Sequence, residues 1–349
     1  MVAETHDAAL EQLHRDMEPA HVIPTWVHYA RLVHKAPTPG YAPHLWRWDQ
    51  TYPLLMRAGE LITPERGGER RSTPLVNPSL GDSLSTSHTL GAALQLVRPG
   101  ETAPVHRHTQ GAIRFVIQGG GGEVYTAVQG EKLVMEDNDL ILTPSWTWHG
   151  HVNETSHDII WLDVLDYPLV SYLRSSFFEP GGEERPRLTR PVNYTAHHAG
   201  LMRPAWESYQ EAVPLVRYPW SDTWSALDAL RHEAGSPFDG IILEYVNPFT
   251  SGPTLPTISC LAQLLRPGEH TRAHRATSST IYYVVDGHGA TLVDGQELEW
   301  SKGDVFVIPP WLWHEHVNVP GGDAVFLAVT DRPILDAFRL YREEARDSA

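Results

Sequence analysis

The apolar positions change period along the chain, and the changes mark its parts. Over residues 1 to about 70 they fall at helical spacing. Leu10, Leu13, His14 and Met17 form one such set. His44-Leu45-Trp46-Arg47-Trp48 opens another, which runs through Leu54-Leu55-Met56 to Leu61. Pro37, Pro39 and Pro43 separate the two. From about residue 86 to 166 the texture is short runs of Val, Ile, Leu, Tyr and Trp between Gly, Asp and Asn. Ala92 to Val97, Ile113 to Ile117, Glu123 to Val128, Leu140 to Thr143 and Ile159 to Val164 are examples. That texture predicts many short antiparallel strands. A polar, helical middle follows, and strands return from Ile241 to Thr330. Ile334 to Arg346 reads as a helix from the spacing of Leu335, Phe338 and Tyr341.

The two strand-rich halves repeat one another. Val76-Asn77-Pro78 answers Val246-Asn247-Pro248, and Ala93-Leu94-Gln95-Leu96-Val97-Arg98-Pro99-Gly100-Glu101 answers Leu261-Ala262-Gln263-Leu264-Leu265-Arg266-Pro267-Gly268-Glu269. Val105-His106-Arg107 answers Ala273-His274-Arg275. Pro144-Ser145-Trp146-Thr147-Trp148-His149-Gly150-His151-Val152-Asn153 answers Pro309-Pro310-Trp311-Leu312-Trp313-His314-Glu315-His316-Val317-Asn318. Matches in one order at nearly one spacing imply a duplicated β-barrel. The expected organisation is an N-terminal helical segment and arm (1–85), barrel 1 (86–195), a helical linker (196–240), barrel 2 (241–333) and a C-terminal helix (334–349). Gly119 to Gly122 lies between two strands with no helix after it, so it predicts a hairpin and not a phosphate loop.

Composition narrows the function. The net charge is −16, from 43 acidic and 27 basic residues, which argues against a nucleic-acid face. One cysteine, Cys260, cannot form an internal disulfide. The start of the chain has no basic and apolar leader pattern, and no 18-residue apolar run occurs, so a soluble cytoplasmic protein is expected. The 12 Trp and 13 Tyr against 8 Phe suit pockets and interfaces.

The chemistry concentrates in the first barrel. His106 and His108 are two apart, so on a strand both face the same side, and His149 arrives from a later strand. Three imidazoles on one face leave coordination positions open, as a catalytic metal requires. A His-x-His pair alone is weak in a chain with 20 His; the repeat and the Gly and Pro punctuation strengthen it. Arg114 shares strand parity with His108 and points into the same barrel, either to a substrate carboxylate or to a structural acid. His151 shares the face of His149 and is a candidate acid or base, or a supporting imidazole.

Gly100-x5-His106-x-His108 and Pro144-x4-His149-x3-Asn153 resemble the two motifs of the cupin barrel, without the usual glutamate after the His pair; Ala112 and Ile113 stand there. The chain is identified as a member of the gentisate/salicylate 1,2-dioxygenase family on further stretches: Pro43-His44-Leu45-Trp46-Arg47, Glu69-Arg70-Arg71, His106 through Phe115, Trp161-Leu162-Asp163, and Glu244 through Asn247-Pro248 to Gly252-Pro253. The resemblance implies a mainly β bicupin of two jelly-roll barrels. It implies Fe(II) on His106, His108 and His149, and extradiol-type insertion of O2 between the carboxyl- and hydroxyl-bearing carbons. Gentisate, giving maleylpyruvate, is the first expected substrate; salicylate, a 5-substituted salicylate or 1-hydroxy-2-naphthoate is the alternative. It further implies pocket roles for Gln95, Asp163 and one of Arg70 or Arg71, and a homotetramer. Asp163 reads equally as a buried acid that orients a ligand histidine. Trp146 and Trp148 are expected to pack, Trp148 also shaping the pocket. Gly91 stands where family members often carry an aromatic residue, which is expected to leave room there.

In barrel 2, His274 and His314 keep their places, but Ala276 replaces the second ligand and Tyr282 replaces Arg114. This marks either a vestigial barrel kept for structure and oligomer contacts or a weak second metal site. Another cupin chemistry (isomerisation, thiol or diketone oxygenation) and a non-catalytic aromatic-acid-binding bicupin are the competing functions.

Overall fold

The computed structural model describes residues 2–63, 66–67, 71–198, 205–206 and 216–346. Met1–Thr38 forms one compact unit and Pro39–Ala349 another. The first unit contains α1 (Val2–Met17) and α2 (Thr25–Leu32), joined by a hydrogen bond from Trp26 Nε1 to His14.

The second unit opens with β1 (His44–Trp46), α3 (Trp48–Leu61) and β2 (Ser72–Pro74). Eight strands follow: β3 (Gly91–Val97), β4 (Thr102–His108), β5 (Ala112–Gln118), β6 (Gly121–Val128), β7 (Glu131–Met135), β8 (Leu140–Thr143), β9 (His149–Asn153) and β10 (Ile159–Leu165). After α4 (Tyr167–Tyr172) come β11 (Phe178–Pro180), α5 (Tyr194–His198), β12 (Arg217–Tyr218) and α6 (Trp220–Leu230). The second copy runs β13 (Ile241–Glu244), the hairpin β14 (Val246–Asn247) and β15 (Gly252–Pro253), then β16 (Ser259–Leu265), β17 (His274–Ala276), β18 (Thr280–Asp286) and β19 (His288–Val293). It continues through β20 (Gln296–Ser301), β21 (Val305–Ile308), β22 (His314–Asn318) and β23 (Ala324–Thr330) to α7 (Arg332–Ala337) and β24 (Glu343–Ala345).

Barrel 1 is the sheet β12-β8-β5-β10-β3-β2 with the sheet β11-β4-β9-β6-β7. Barrel 2 is β1-β21-β18-β23-β16-β13 with β20-β19-β22-β17-β24. Both six-stranded sheets are apolar on both faces because each face has something to bury. On β3, Leu94 and Leu96 pack outward with Phe115, Ile160 and Leu162 against Leu264, Ile281, Tyr283 and Leu327 of barrel 2. Val97, on the other face, packs inward with Val116, Met135 and Trp161. Barrel 2 fills its interior with Tyr282, Trp300, Phe306 and Phe326.

The barrels exchange strands. β1 precedes barrel 1 but pairs with β21 of barrel 2, His44 opposite Val307. β12 precedes barrel 2 but pairs with β8 of barrel 1, Arg217 opposite Ile141. Each exchanged strand leads into a helix whose first N–H is held by an acid of the barrel it has joined. Asp304 accepts from Trp48 N at 2.7 Å, and Asp139 accepts from Trp220 N at 2.9 Å. Two further aspartates tie the copies together. Asp166 accepts from Gly111 N and from Thr257 Oγ1; Asp331 accepts from Ser279 N and from Thr89 Oγ1.

Four expectations change. His44–Trp46 is a strand, not the start of a helix, because β21 offers it an edge and the helix waits for the Asp304 cap. In the linker, Arg217–Tyr218 is a strand between two helices; 199–204 and 207–215 lie outside the described residues. The C-terminal helix stops at Ala337. Arg339 takes φ 58°, which a right-handed helix cannot use, and Glu343–Ala345 then pairs with β17. Gly119 and Gly120 form a corner and not a hairpin, since β5 and β6 belong to opposite sheets. A β-carbon on Gly119 would meet Met135 O at 2.5 Å, backbone that cannot give way.

Candidate metal centre

β4 and β9 are neighbours with His106 directly opposite His149, and a register irregularity between Ala103 and His106 sets that pairing. His108 follows at i+2 on the same face. Each ring is fixed by its own backbone: Nδ1 bonds Pro104 O at 2.8 Å for His106, Gln110 O at 2.9 Å for His108 and Thr147 O at 2.9 Å for His149. A neutral imidazole donating from Nδ1 carries its lone pair on Nε2. One ring nitrogen from each histidine lies within 4.8 Å of the others. Ring centroids are 4.3 Å apart for His106–His149, 4.8 Å for His108–His149 and 5.7 Å for His106–His108. His149 is 1% exposed, and its Nε2 is buried without a hydrogen-bond partner. Burial, then Arg114 and the other two imidazoles, hold its pKa well below the ordinary histidine value, so it stays neutral. A buried lone pair of this kind needs a partner, and a divalent metal of borderline softness fits the three-nitrogen set.

Arg107, between the first two histidines, points the other way. Its guanidinium lies between Trp146 and Trp148, 4.3 and 4.5 Å from their ring centroids, and its Nη2 reaches Glu179 of β11 at 2.6 Å. This clamp ties β4 to the loop before β9 and to β11, and so fixes the histidine-bearing strands from behind. Barrel 2 repeats it with Arg275, Trp311, Trp313 and Glu344. The signal was available: both copies carry Trp-x-Trp-His, and both place Arg directly after the first His.

Arg114 is not on the strand of His108. The chain turns at 109–111 and crosses to the other sheet, where Arg114 faces inward from β5. It is 4% exposed and lies opposite Asp163, with Nε 3.1 Å from Asp163 Oδ1, and Nη1 donates to Thr143. Its Nη2 makes no hydrogen bond among the described residues. Burial raises the Asp163 pKa, and Arg114 pulls it back down. Asp163 thus holds Arg114, not a ligand histidine. His151 is buried, with Nδ1 2.8 Å from Thr126 Oγ1 and its ring 5.0 Å from Trp161. Burial, then Arg114 and the neighbouring imidazoles, hold it neutral. Gln95 is inward on β3, opposite Trp161.

The other predicted residues are placed as follows. Arg71 is buried in a structural role: Nη1 and Nη2 pair with Glu101 at 2.8 and 2.9 Å, and the guanidinium also donates to Ile62 O and Leu96 O. Arg70 lies outside the described residues. Trp148 stacks on Arg107 and lines a cavity of about 350 Å3 together with His149, Val105, Ala127 and Glu183. The room expected beside Gly91 is filled by the ring of Tyr167.

In barrel 2, His274 and His314 are paired in register with centroids 4.4 Å apart, close to the His106–His149 separation. The third imidazole is absent. Carboxylates surround His274 instead, with Glu343 Oε1 3.0 Å from Nδ1 and Asp239 Oδ1 3.7 Å from Nε2. The His274–Glu343 contact depends on β24, which was read as helix. Tyr282 packs on Phe306, His316 and Phe326 at the position that Arg114 holds in barrel 1.

Fold and site together define a bicupin with a three-histidine centre in barrel 1. The Cupin domain family model matches residues 93–165 and 262–330. The chain is 54% identical to a 5-aminosalicylate 1,2-dioxygenase from Comamonas sp, over 96% of this chain and 90% of that one. It is 37% identical to a 1-hydroxy-2-naphthoate 1,2-dioxygenase from Nocardioides sp., over 97% and 88%. A crystal structure of salicylate 1,2-dioxygenase from Pseudaminobacter salicylatoxidans matches with a TM-score of 0.87 at 34% identity, over 96% and 97% of the two chains. A structure of that enzyme with gentisate matches equally well, TM-score 0.87. The chain belongs to the gentisate/salicylate 1,2-dioxygenase family. It is an O2-incorporating oxidoreductase with an aromatic hydroxy acid as its substrate class.

Proposed function

We propose that the enzyme opens the ring of salicylates that carry an electron-donating group para to the hydroxyl, with 5-aminosalicylate preferred and gentisate next. A three-imidazole centre facing buried Arg114, in a chain 54% identical to a 5-aminosalicylate dioxygenase, carries this reading. Both acids share an ortho carboxylate and hydroxyl and a para donor that makes the ring easier to oxidise. The bond between the carboxyl- and hydroxyl-bearing carbons breaks, and both atoms of O2 enter the product.

His106, His108 and His149 would hold Fe(II), which supplies a binding point for the ortho oxygens and for O2. Arg114 binds the substrate carboxylate through Nη2, and Asp163 and Thr143 keep the guanidinium from turning. Neutral His151, one inward position beyond His149, hydrogen-bonds the bound substrate through its ring nitrogen. Cytoplasmic location and tetrameric assembly belong to the same reading, and sedimentation of the purified protein checks the second.

The test is O2 uptake with the ultraviolet spectrum, using Fe(II)-loaded protein and 5-aminosalicylate, gentisate, salicylate and 1-hydroxy-2-naphthoate. The highest kcat/KM is expected with 5-aminosalicylate, and loss of turnover in His108→Ala. Uptake fastest with an acid lacking a para donor would overturn the preference, and no uptake with iron bound would overturn the reading.

A further inference from the structure

The inward face of β3 presents Gly91, Ala93 and Gln95 in succession. Ala93 is half-buried, whereas Gly91 is fully buried. What covers Gly91 is Tyr167, the first residue of α4. A β-carbon at 91 would meet Cε1, Cζ and the hydroxyl of Tyr167, all inside contact distance. The phenol is tied down by a hydrogen bond to Leu84 O. Tyr167 also lines a groove of about 1140 Å3, together with Ser79, Leu84, His88 and Tyr172. The ring is therefore a partition, with the inward row of barrel 1 on one side and the groove on the other.

The partition is close to the site. Leu165 pairs with both Gly91 and Ala112, and Ala112 pairs with Thr143, the residue whose hydroxyl holds Arg114. Gly91 is thus two strands from Ala112, roughly 10 Å at ordinary strand spacing, about the length of a fused two-ring acid. The second copy lacks the partition. Ser259 stands in the place of Gly91 and Arg332 in the place of Tyr167. Arg332 turns away to Asp336 at 3.2 Å and to the ring of Tyr341 at 4.0 Å. There Ser259, Leu261 and Arg332 all line one cavity of about 350 Å3.

We propose that Tyr167 is the specificity wall of the barrel 1 site: its ring, occupying the space above Gly91, limits the site to single-ring acids and separates it from the groove. The inference rests on the ring-cleavage reading and adds the residue that sets substrate size.

The experiment uses the Fe(II)-loaded full chain as wild type, Tyr167→Phe, Tyr167→Leu and Tyr167→Ala. For each, kcat/KM is measured with 5-aminosalicylate and with 1-hydroxy-2-naphthoate, and anaerobic Kd for both acids by tryptophan fluorescence. Tyr167→Phe keeps the ring and is expected to keep the discrimination. Tyr167→Ala is expected to raise the naphthoate-to-aminosalicylate ratio about tenfold or more, through KM and Kd, the scale on which a pocket discriminates size. Should the alanine variant fail to fold, Tyr167→Leu carries the same expectation, smaller but in the same direction. A folded Tyr167→Ala or Tyr167→Leu with the wild-type ratio of Kd and of kcat/KM overturns the wall. Wild type that turns over neither acid counts against the substrate reading instead, and the Kd ratios still decide the role of Tyr167.

Discussion

On the proposed reading Arg114 does two things at once, and replacing it separates them. Its side chain is 5% exposed and that of its partner Asp163 is 7% exposed, with 3.1 Å between Nε and Oδ1. Arg114→Met leaves the Asp163 carboxyl buried without its cation. Breaking a buried pair from one side costs about 3–5 kcal/mol, because the remaining charge has lost its partner. If Arg114 anchors the substrate carboxylate as proposed, the same change is expected to remove a charge-assisted hydrogen bond worth about 1.5–3 kcal/mol, or about 10- to 150-fold in kcat/KM. A second variant, Arg114→Met with Asp163→Leu, removes both charges and fills similar volume. It is expected to recover most of the lost stability, since an apolar pair in place of a buried ion pair is often neutral or better. Activity is expected to stay low, since nothing then faces the carboxylate. Urea denaturation gives the stability and O2 uptake gives kcat/KM. Recovery of kcat/KM to within about threefold of wild type in the double variant would refute carboxylate anchoring by Arg114. An unchanged unfolding midpoint in Arg114→Met would refute the burial and pairing on which the magnitude rests.

Two further outcomes follow from the duplicated frame. Asp331, buried between Ser279 and Thr89, has its pKa raised from 3.8 to about 6, chiefly by burial. The folded state therefore binds this proton more tightly than the unfolded chain. Stability is highest below pH 4 for this group and falls as pH rises to 6, by at most about 3 kcal/mol. Asp331→Asn is expected to flatten that part of the pH profile of the urea midpoint; an unchanged slope would count against it. Arg107→Ala removes the clamp behind the histidine strands and is expected to weaken Fe(II) or Zn(II) binding by about 10- to 100-fold, as loss of supporting contacts to ligands typically does. Metal titration with a competing chelator reads this, and an affinity equal to wild type would reduce Arg107 to a packing residue.

The sequence was most legible where periodicity and chemistry coincide. The i, i+2 spacing of His106 and His108 put both on one face, and the repeat placed His149 across from them. Short strands followed from apolar runs between Gly, Asp and Asn, and the two-barrel frame followed from the internal repeat. What alternation does not carry is pairing at a distance. β1, β12 and β24 span only two or three residues each, too short for a period, and each exists because a strand elsewhere offers an edge. Arg71 was, with Arg70, one of two candidates for a pocket cation, yet its charge is used by Glu101, 30 residues away. Gly91 was read as empty space, but a missing side chain says nothing about what another segment places there. Here that segment is Tyr167, 76 positions later in the sequence and brought back by the β3–β10 pairing.

The differences between the two copies sort by the job they do. The frame is kept in both: Arg107 and Arg275 in their tryptophan clamps, Asp139 and Asp304 on the helix starts, Asp166 and Asp331 between barrels. These groups hold strands in place, and both barrels need that equally. The interior groups differ: His108 against Ala276, Arg114 against Tyr282, Gly91 and Tyr167 against Ser259 and Arg332. Losing the third imidazole removes the reason to keep an inward cation. Tyr282, Phe306 and Phe326 then pack the barrel 2 interior, with apolar burial in place of a buried ion pair. Restoring chemistry to barrel 2 consequently takes more than Ala276→His. The incoming imidazole still meets Glu343 and Asp239 around His274 and the aromatic packing around His316. The substrate still finds no arginine at its carboxylate, so a metal bound there would have no acid to act on.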